Sequence, residues 1–304
     1  MRSPDAVRRS ITDHLRQISK SQGQDFNTLA RNFVMSRFLA RVFSVDPVGW
    51  ILKGGVGMMV RLPESRYSRD IDLMAVDGGR GCDPVTQLRN AVRDNHLDHF
   101  RFEVGVPTPL SNGKGSTVTV KALLGGRVFD SFSIDVVDAR RELVGAIEHR
   151  PVPKMIATDD FPSEVWIALY PLADQIADKL CAMFERYGPT SGTSGRYRDL
   201  VDLLLVSMYL PIDLHSTVSA LEAERALRGI TALPRTMQAP GPDWAAMWPK
   251  TAKKSPLAVE HHDLEVALAT ARACYDRILT SVPPADAPAA SWDPEPRAWI
   301  GLDQ

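Results

Sequence analysis

The spacing of apolar residues changes character at Tyr170, and this change constrains the fold more than any other feature of the chain. Before it, Asp70 to Ala75, Phe100 to Val106, Ser116 to Leu123 and Arg127 to Val137 alternate apolar with polar residues, the period of half-buried strands. Gly125-Gly126 joins the last two runs as a hairpin turn, because glycine takes positive φ without steric cost. After Tyr170, three- and four-residue spacing predicts helices over Leu172 to Tyr187, Arg198 to Leu210, Leu221 to Leu227 and Leu257 to Leu279. Ser10 to Val45 is also helical in pattern, with Leu15, Ile18, Phe26, Leu29, Phe33, Val34 and Phe38 recurring. Pro234 to Pro256 and Val282 to Pro296, rich in Pro, Ala and Trp, read as extended surface connections. The expected fold class is α+β, with a mixed sheet in an N-terminal domain over residues 1–165 and an α-helical bundle over residues 166–304.

Composition removes several classes. With 304 residues, 44% hydrophobic and 24% charged, the chain is neither disordered nor fibrous and can bury a sizeable core. No apolar run approaches the roughly 20 residues of a membrane span, and MRSPDAVRRS lacks a signal peptide's apolar core, so the expectation is a cytoplasmic protein with no membrane partner. Cys82, Cys181 and Cys274 are odd in number and far apart, which fits neither a disulfide framework nor a zinc knuckle; they are expected to be reduced and mostly buried. At a formal net charge of -1, any polyanion must be met by a local basic patch.

The chemistry concentrates in Lys53-Gly54-Gly55 followed by Ser68-Arg69-Asp70-Ile71-Asp72-Leu73. Residues two apart on a strand share a face, so Asp70 and Asp72 project together, and a divalent cation, magnesium first, relieves their repulsion. Glycines upstream let backbone amides approach a triphosphate closely. Asp-x-Asp at a strand end occurs in many proteins that hold no metal, and Lys53 precedes its glycines, so this is no Walker loop; the specificity lies in the combination. In Ser131 to Val136, alternation puts Asp135 on the polar face, with Asp138 as competitor, and a third carboxylate suits a second metal ion.

Further along, Lys179 sits within the apolar stripe Leu172, Ile176 and Met183, so its ammonium needs a partner: a triphosphate, the aspartates, or water reached by snorkelling. Asp199 and Asp202 lie one turn apart on a helix apolar nearly all round, so at least one must be buried with a cation. That cation is either a structural partner or Lys179 itself, positioned for the reaction. Arg61, Arg66, Arg69, Arg196 and Arg198 are candidate phosphate clamps, each otherwise a solvated surface charge. Asn95-His96-Leu97-Asp98-His99 and His261-His262 lack further metal ligands at suitable spacing and read as exposed helix ends or loops.

These motifs together resemble the AbiEii nucleotidyltransferases, toxins of type IV toxin-antitoxin and phage-defence systems, and especially their mycobacterial MenT relatives. The resemblance runs in order from about Ile51 to Leu210: Gly-Gly with a downstream Arg-Tyr-Ser-Arg-Asp-Ile-Asp, a lone strand aspartate, Ile-Ala-Asp-Lys-Leu, and Arg-Asp-Leu-Val-Asp. Gly-Gly-Val-Gly stands where Gly-Ser is usual in the wider superfamily, which removes a side-chain hydroxyl at Gly55. The resemblance implies a polymerase-β-like nucleotidyltransferase lobe followed by a helical lobe. It implies that Asp70 and Asp72 bind Mg2+, that Lys179 contacts nucleotide phosphates, and that Asp199 or Asp202 is an essential acid. Lys53, Gly54, Gly55, Ser68 and Arg69 would line the nucleotide. The implied reaction adds nucleotides, often pyrimidines, from an NTP to the 3′ end of tRNA, under control of a cognate antitoxin. A phosphate on Ser68 would place about two negative charges beside Asp70 and switch the enzyme off. Transfer to a protein or a small molecule such as an aminoglycoside, and a nucleotide-binding module without catalysis, are the competing readings.

Overall fold

The computed structural model describes the chain apart from residues 1–2, 63–64, 77–82, 94–96, 111–112, 114, 140, 157–160, 162–163, 187–191, 283–288 and 302–304. Contacts divide it into two units. The first comprises Met1–Pro63, Tyr67–Arg140 and Glu148–Tyr170, the second Glu64–Arg66, Arg141–Ile147 and Pro171–Gln304.

The first unit opens on helices α1 (Pro4–Gln22) and α2 (Phe26–Val45), whose first turns are capped by the side chains of Ser3 and Asp25. Gly23, at φ 65°, breaks the helical signal between them. There follow β1 (Trp50–Lys53), α3 (Gly54–Arg61), β2 (Asp70–Ala75), α4 (Pro84–Arg93), β3 (Phe100–Val104), β4 (Thr108–Pro109), β5 (Ser116–Leu124), β6 (Arg127–Asp138), β7 (Glu148–Pro151) and β8 (Trp166–Leu169). The strands form one sheet in the order β3-β5-β6-β2-β1-β8-β7, with β4 on β5. It is mixed: β2 runs parallel to β6 and β1 to β8, and the remaining pairs are antiparallel. Leu52, Ile71, Leu73, Val118, Ile134 and Val136 are buried on one face, where α2 packs on β6 and β8 and α4 on β3 and β6. Gly125 and Gly126 turn the β5–β6 hairpin at φ 63° and 73°.

One sequence expectation needs correction here. Asn95 and His96 lie outside the described residues, but Asp98 is not a surface group: its fully buried carboxylate accepts from Arg37 at 2.9 Å and Arg41 at 2.7 Å, both on α2. A buried carboxylate demands such partners, and the pattern of the loop alone gave no hint of them.

The second unit contains α5 (Leu172–Phe184), α6 (Tyr197–Tyr209), β9 (Ile212–Asp213), α7 (Leu214–Leu227), α8 (Trp244–Ala252), a 3₁₀ turn Val259–His262, α9 (Leu264–Thr280), β10 (Ser291–Asp293) and β11 (Ala298–Ile300). Helix α5 packs on α6 and α7, and α6 on α8 and α9. Cys181 and Cys274 are free and buried, while Cys82 lies outside the described residues. No helix among the described residues is long and apolar enough to cross a membrane.

Two stretches expected as surface connections are built into this unit. Pro234 to Pro256 contains α8, whose Trp244 and Trp248 are buried and donate their indole N–H groups to the carbonyls of Ser194 at 2.7 Å and His261 at 3.0 Å. Within Val282 to Pro296, residues 283–288 lie outside the described residues, but β10 pairs with both β9 and β11. Trp292 there is buried and donates to the carbonyl of Ser207 at 2.7 Å. Each indole removes a large apolar area from water and satisfies its one donor, which outweighs the loop-forming composition around it. His261, expected to be exposed, is buried, and burial holds its pKa below the ordinary histidine value.

Candidate active site

In the first unit, strand register sets the chemistry. Lys53 pairs with Asp72 across β1–β2, Asp72 with Asp135 across β2–β6, and Asp135 with Thr117 across β6–β5. Paired residues in a sheet point to the same side, so these four form one row on the face opposite the apolar core. Asp70, opposite Ser133, stands on the same face one step along. Asp70 is exposed, and Asp72 and Asp135 are half-buried.

Each member of the row is held by neighbours. Thr117 Oγ1 donates to Asp135 Oδ1 at 2.6 Å, and Ser68 Oγ donates to Asp70 Oδ1 at 2.9 Å. Ser68 itself is buried, its amide directed at Met59 Sδ at 3.4 Å. The Lys53 ammonium lies 4.0 Å from the centre of the Tyr170 ring, a cation–π arrangement that helps to position it. Gly54 opens α3 at φ 63°, and a Cβ there would come within 1.7 Å of Asp72 Oδ2. The turn into α3 therefore requires glycine twice over, for its backbone angle and for the carboxylate lying against it. Beyond it, the first amides of α3 have no intrahelical acceptor.

Three oxygen-donor side chains on one face, with no histidine or cysteine among them, fit a hard divalent cation in donor type. They do not close into a cage by themselves. Among the described residues no three acidic, histidine or cysteine side chains converge into a metal-holding group.

The second unit holds a separate charge cluster. Lys179 on α5 is buried, and its Nζ donates to Asp199 Oδ1 at 3.0 Å and Asp202 Oδ2 at 2.6 Å, both on α6. Snorkelling is thereby excluded. Arg66 binds Asp202 with two parallel bonds, Nε to Oδ1 at 2.8 Å and Nη2 to Oδ2 at 2.7 Å. Burial opposes charge on Lys179 and Asp202 alike, but the paired charges outweigh it. The Lys179 pKa lies above its ordinary value and that of Asp202 below.

The other arginines divide into two groups. Arg61, read in sequence as a possible phosphate clamp, is buried in a pair with Glu148 at 3.1 Å and donates to the Tyr170 carbonyl at 2.7 Å, so it serves the fold of the first unit. Arg69, Arg196 and Arg198 are exposed, with Arg196 at 3.9 Å from Asp199. Sequence reasoning missed Thr117 and Tyr170. The alternation of β5 already placed Thr117 on the polar face, but only strand pairing shows which carboxylate it meets.

A mixed sheet presenting a row of carboxylates beside a glycine-started helix is the arrangement of a nucleotidyltransferase. The fold is similar to that of MenT4, a nucleotidyltransferase toxin from Mycobacterium tuberculosis, at a TM-score of 0.52 and 18% identity, over 72% of this chain and 75% of that one. The chain belongs to the AbiEii family, nucleotidyl transferase toxins of type IV toxin-antitoxin systems, whose family model matches residues 37–274. JHP933 from Helicobacter pylori aligns at a TM-score of 0.37 and 14% identity, over 67% of this chain and 81% of its own. No curated protein matches the sequence.

Proposed function

We propose that this toxin transfers nucleotides, pyrimidines by preference, from an NTP to the 3′ end of tRNA, releasing pyrophosphate and so blocking translation. The observation that supports transfer most is the in-register row Lys53–Asp72–Asp135, flanked by Asp70, at the start of α3. Asp70 and Asp72, with Asp135 as the third carboxylate, would hold Mg2+, in two ions where both phosphate ends are bound. When bound, the metal neutralises phosphate charge and lowers the pKa of the attacking hydroxyl.

This chain's own groups do the rest. Amides at Gly54 and Gly55 receive triphosphate oxygens, Lys53 adds a fixed positive charge beside Asp72, and Arg69 is free in water to meet phosphate. Thr117 fixes the Asp135 carboxylate so that no reorganisation is needed during reaction. From the second unit we assign Lys179 to the nucleotide phosphates and an acid of α6 to the same chemistry. A terminal ribose hydroxyl then attacks the α-phosphate in line, and pyrophosphate leaves. Ser68 is the proposed control point: a phosphate on its hydroxyl would displace the hydrogen bond to Asp70 and repel the nucleotide. The cognate antitoxin is the partner that would bring this about. Mass spectrometry of toxin co-expressed with antitoxin tests it, and Ser68 unmodified throughout would exclude this route.

The central test incubates purified protein with total tRNA, Mg2+ and each labelled NTP in turn, beside Asp70→Ala and Lys179→Ala. Label entering tRNA, with both variants silent, is expected. Unlabelled tRNA with intact nucleotide binding would move the acceptor to a protein or small molecule.

A further inference from the structure

The two acids of α6 are not equivalent. Asp202 has a fully buried side chain, and its oxygens take three charged hydrogen bonds, two from Arg66 and one from Lys179. Asp199 is 11% exposed at its side chain; Lys179 holds one oxygen, and the other faces exposed Arg196 at 3.9 Å. One carboxylate is sealed from water with a hydrogen bond on each oxygen and three in all, while the other, with one oxygen held by Lys179, keeps more acceptor capacity for an incoming group.

Charge balance explains why Arg66 is needed. The buried cluster sets two cations, Lys179 and Arg66, against two carboxylates, Asp199 and Asp202. Without Arg66 the remaining ammonium answers two carboxylates, and the cluster carries net negative charge. A cluster so charged draws Lys179 onto Asp202 and opposes any polyphosphate. The guanidinium fork fits a carboxylate with two bonds, which a lysine cannot reproduce.

We propose that Arg66 is a positioning residue that occupies Asp202 as a structural anchor, leaving Lys179 and Asp199 as the working pair of the second unit. This rests on the nucleotidyl-transfer reading. It reassigns Arg66 from phosphate clamp to internal counter-ion, and it selects Asp199 as the essential acid.

The test compares full-length wild type with R66Q, D202N, D199N, R66K, R66Q/D202N and R66Q/D199N in labelled-NTP transfer to tRNA, over a range of NTP concentration. Circular dichroism and thermal melting check that each variant is folded. R66Q is expected to raise the KM for NTP by about tenfold or more with a smaller effect on kcat. R66K, which keeps the charge but not the two-bond fork, should raise the KM by less than R66Q does. R66Q/D202N, which removes a cation and an anion together, should recover about tenfold over R66Q alone, whereas R66Q/D199N should remain as inactive as D199N. R66Q with wild-type KM, a double variant no better than its worse parent, or rescue of D199N by R66Q would overturn the proposal while leaving transfer intact. A wild type that labels no acceptor would instead overturn the nucleotidyl-transfer reading on which the proposal stands.

Discussion

At Gly54 one missing methyl group separates a working turn from a blocked one. The residue needs φ 63°, and a Cβ would sit 1.7 Å from Asp72 Oδ2. Gly54→Ala must therefore strain the backbone, at about 1–3 kcal/mol, and also push Asp72 out of its row. We expect transfer to fall by about 100-fold or more, since a displacement near 1 Å at a reacting group suffices for that, with a loss of a few degrees in Tm. Gly57→Ala, whose added atom meets the Leu52 carbonyl at 3.3 Å, is the milder control. Wild-type activity in Gly54→Ala would mean that the Asp72 carboxylate is not used where it stands. A gentler change tests the next strand: Thr117→Val keeps shape but removes the 2.6 Å bond to Asp135, and a loss of about three- to tenfold in kcat/KM is expected. Asp70, Asp72 and Asp135 were legible from alternation because strand period two fixes a face without knowledge of neighbours. Lys53 beside Tyr170 and Arg66 on Asp202 were not, because their partners lie more than 100 residues away in sequence.

Elements with a clean period were the ones the sequence disclosed. The β5–β6 hairpin, α5 and α6 fall within a few residues of their expected bounds, since each carries an unbroken apolar pattern and the hairpin a Gly-Gly turn as well. Strands β7 and β8 escaped because they are four residues each, too short for periodicity to register. Helix α8 and the β10–β11 hairpin escaped for another reason: proline and alanine around them signal loop, while the tryptophans that hold them act through tertiary contact. This makes the hairpin a stability element of the second unit. Trp292→Ala removes a buried indole and its bond to the Ser207 carbonyl, and should cost about 3–5 kcal/mol in urea denaturation. A change under about 1 kcal/mol would show that β10 is held by its backbone pairing alone.

The chain crosses into its second unit before its helices begin, and those crossings carry charge that the helices need. Arg66 pairs with buried Asp202, and Arg141 pairs with buried Asp174 on α5 and with Glu224 on α7. Asp174 also accepts from the amides of Val144 and Gly145. A fragment spanning residues 166–304 would lose Arg66 and Arg141, leaving Asp202 and Glu224 with Lys179 and Arg228 but buried Asp174 without its cation, at about 3–5 kcal/mol for that charge left alone. It should fail to give a cooperative melt. The same pairs govern acid stability. Burial alone would raise the Glu224 pKa, but Arg228 and Arg141 outweigh it and bring it down from 4.5 to about 2; the Asp202 pKa is lowered likewise by Lys179 and Arg66. A depressed carboxylate stabilises the fold above its unfolded pKa and loses that contribution as pH falls through the folded value. Stability should therefore drop between about pH 4.5 and 2, with Glu224 contributing about 2 kcal/mol after allowance for solvent screening. Urea midpoints of wild type and Glu224→Gln across that range decide the matter. The variant should start lower at pH 7 and converge on the wild type near pH 2. Parallel curves would mean that Glu224 titrates as it does in the unfolded chain and that the acid sensitivity belongs to other groups.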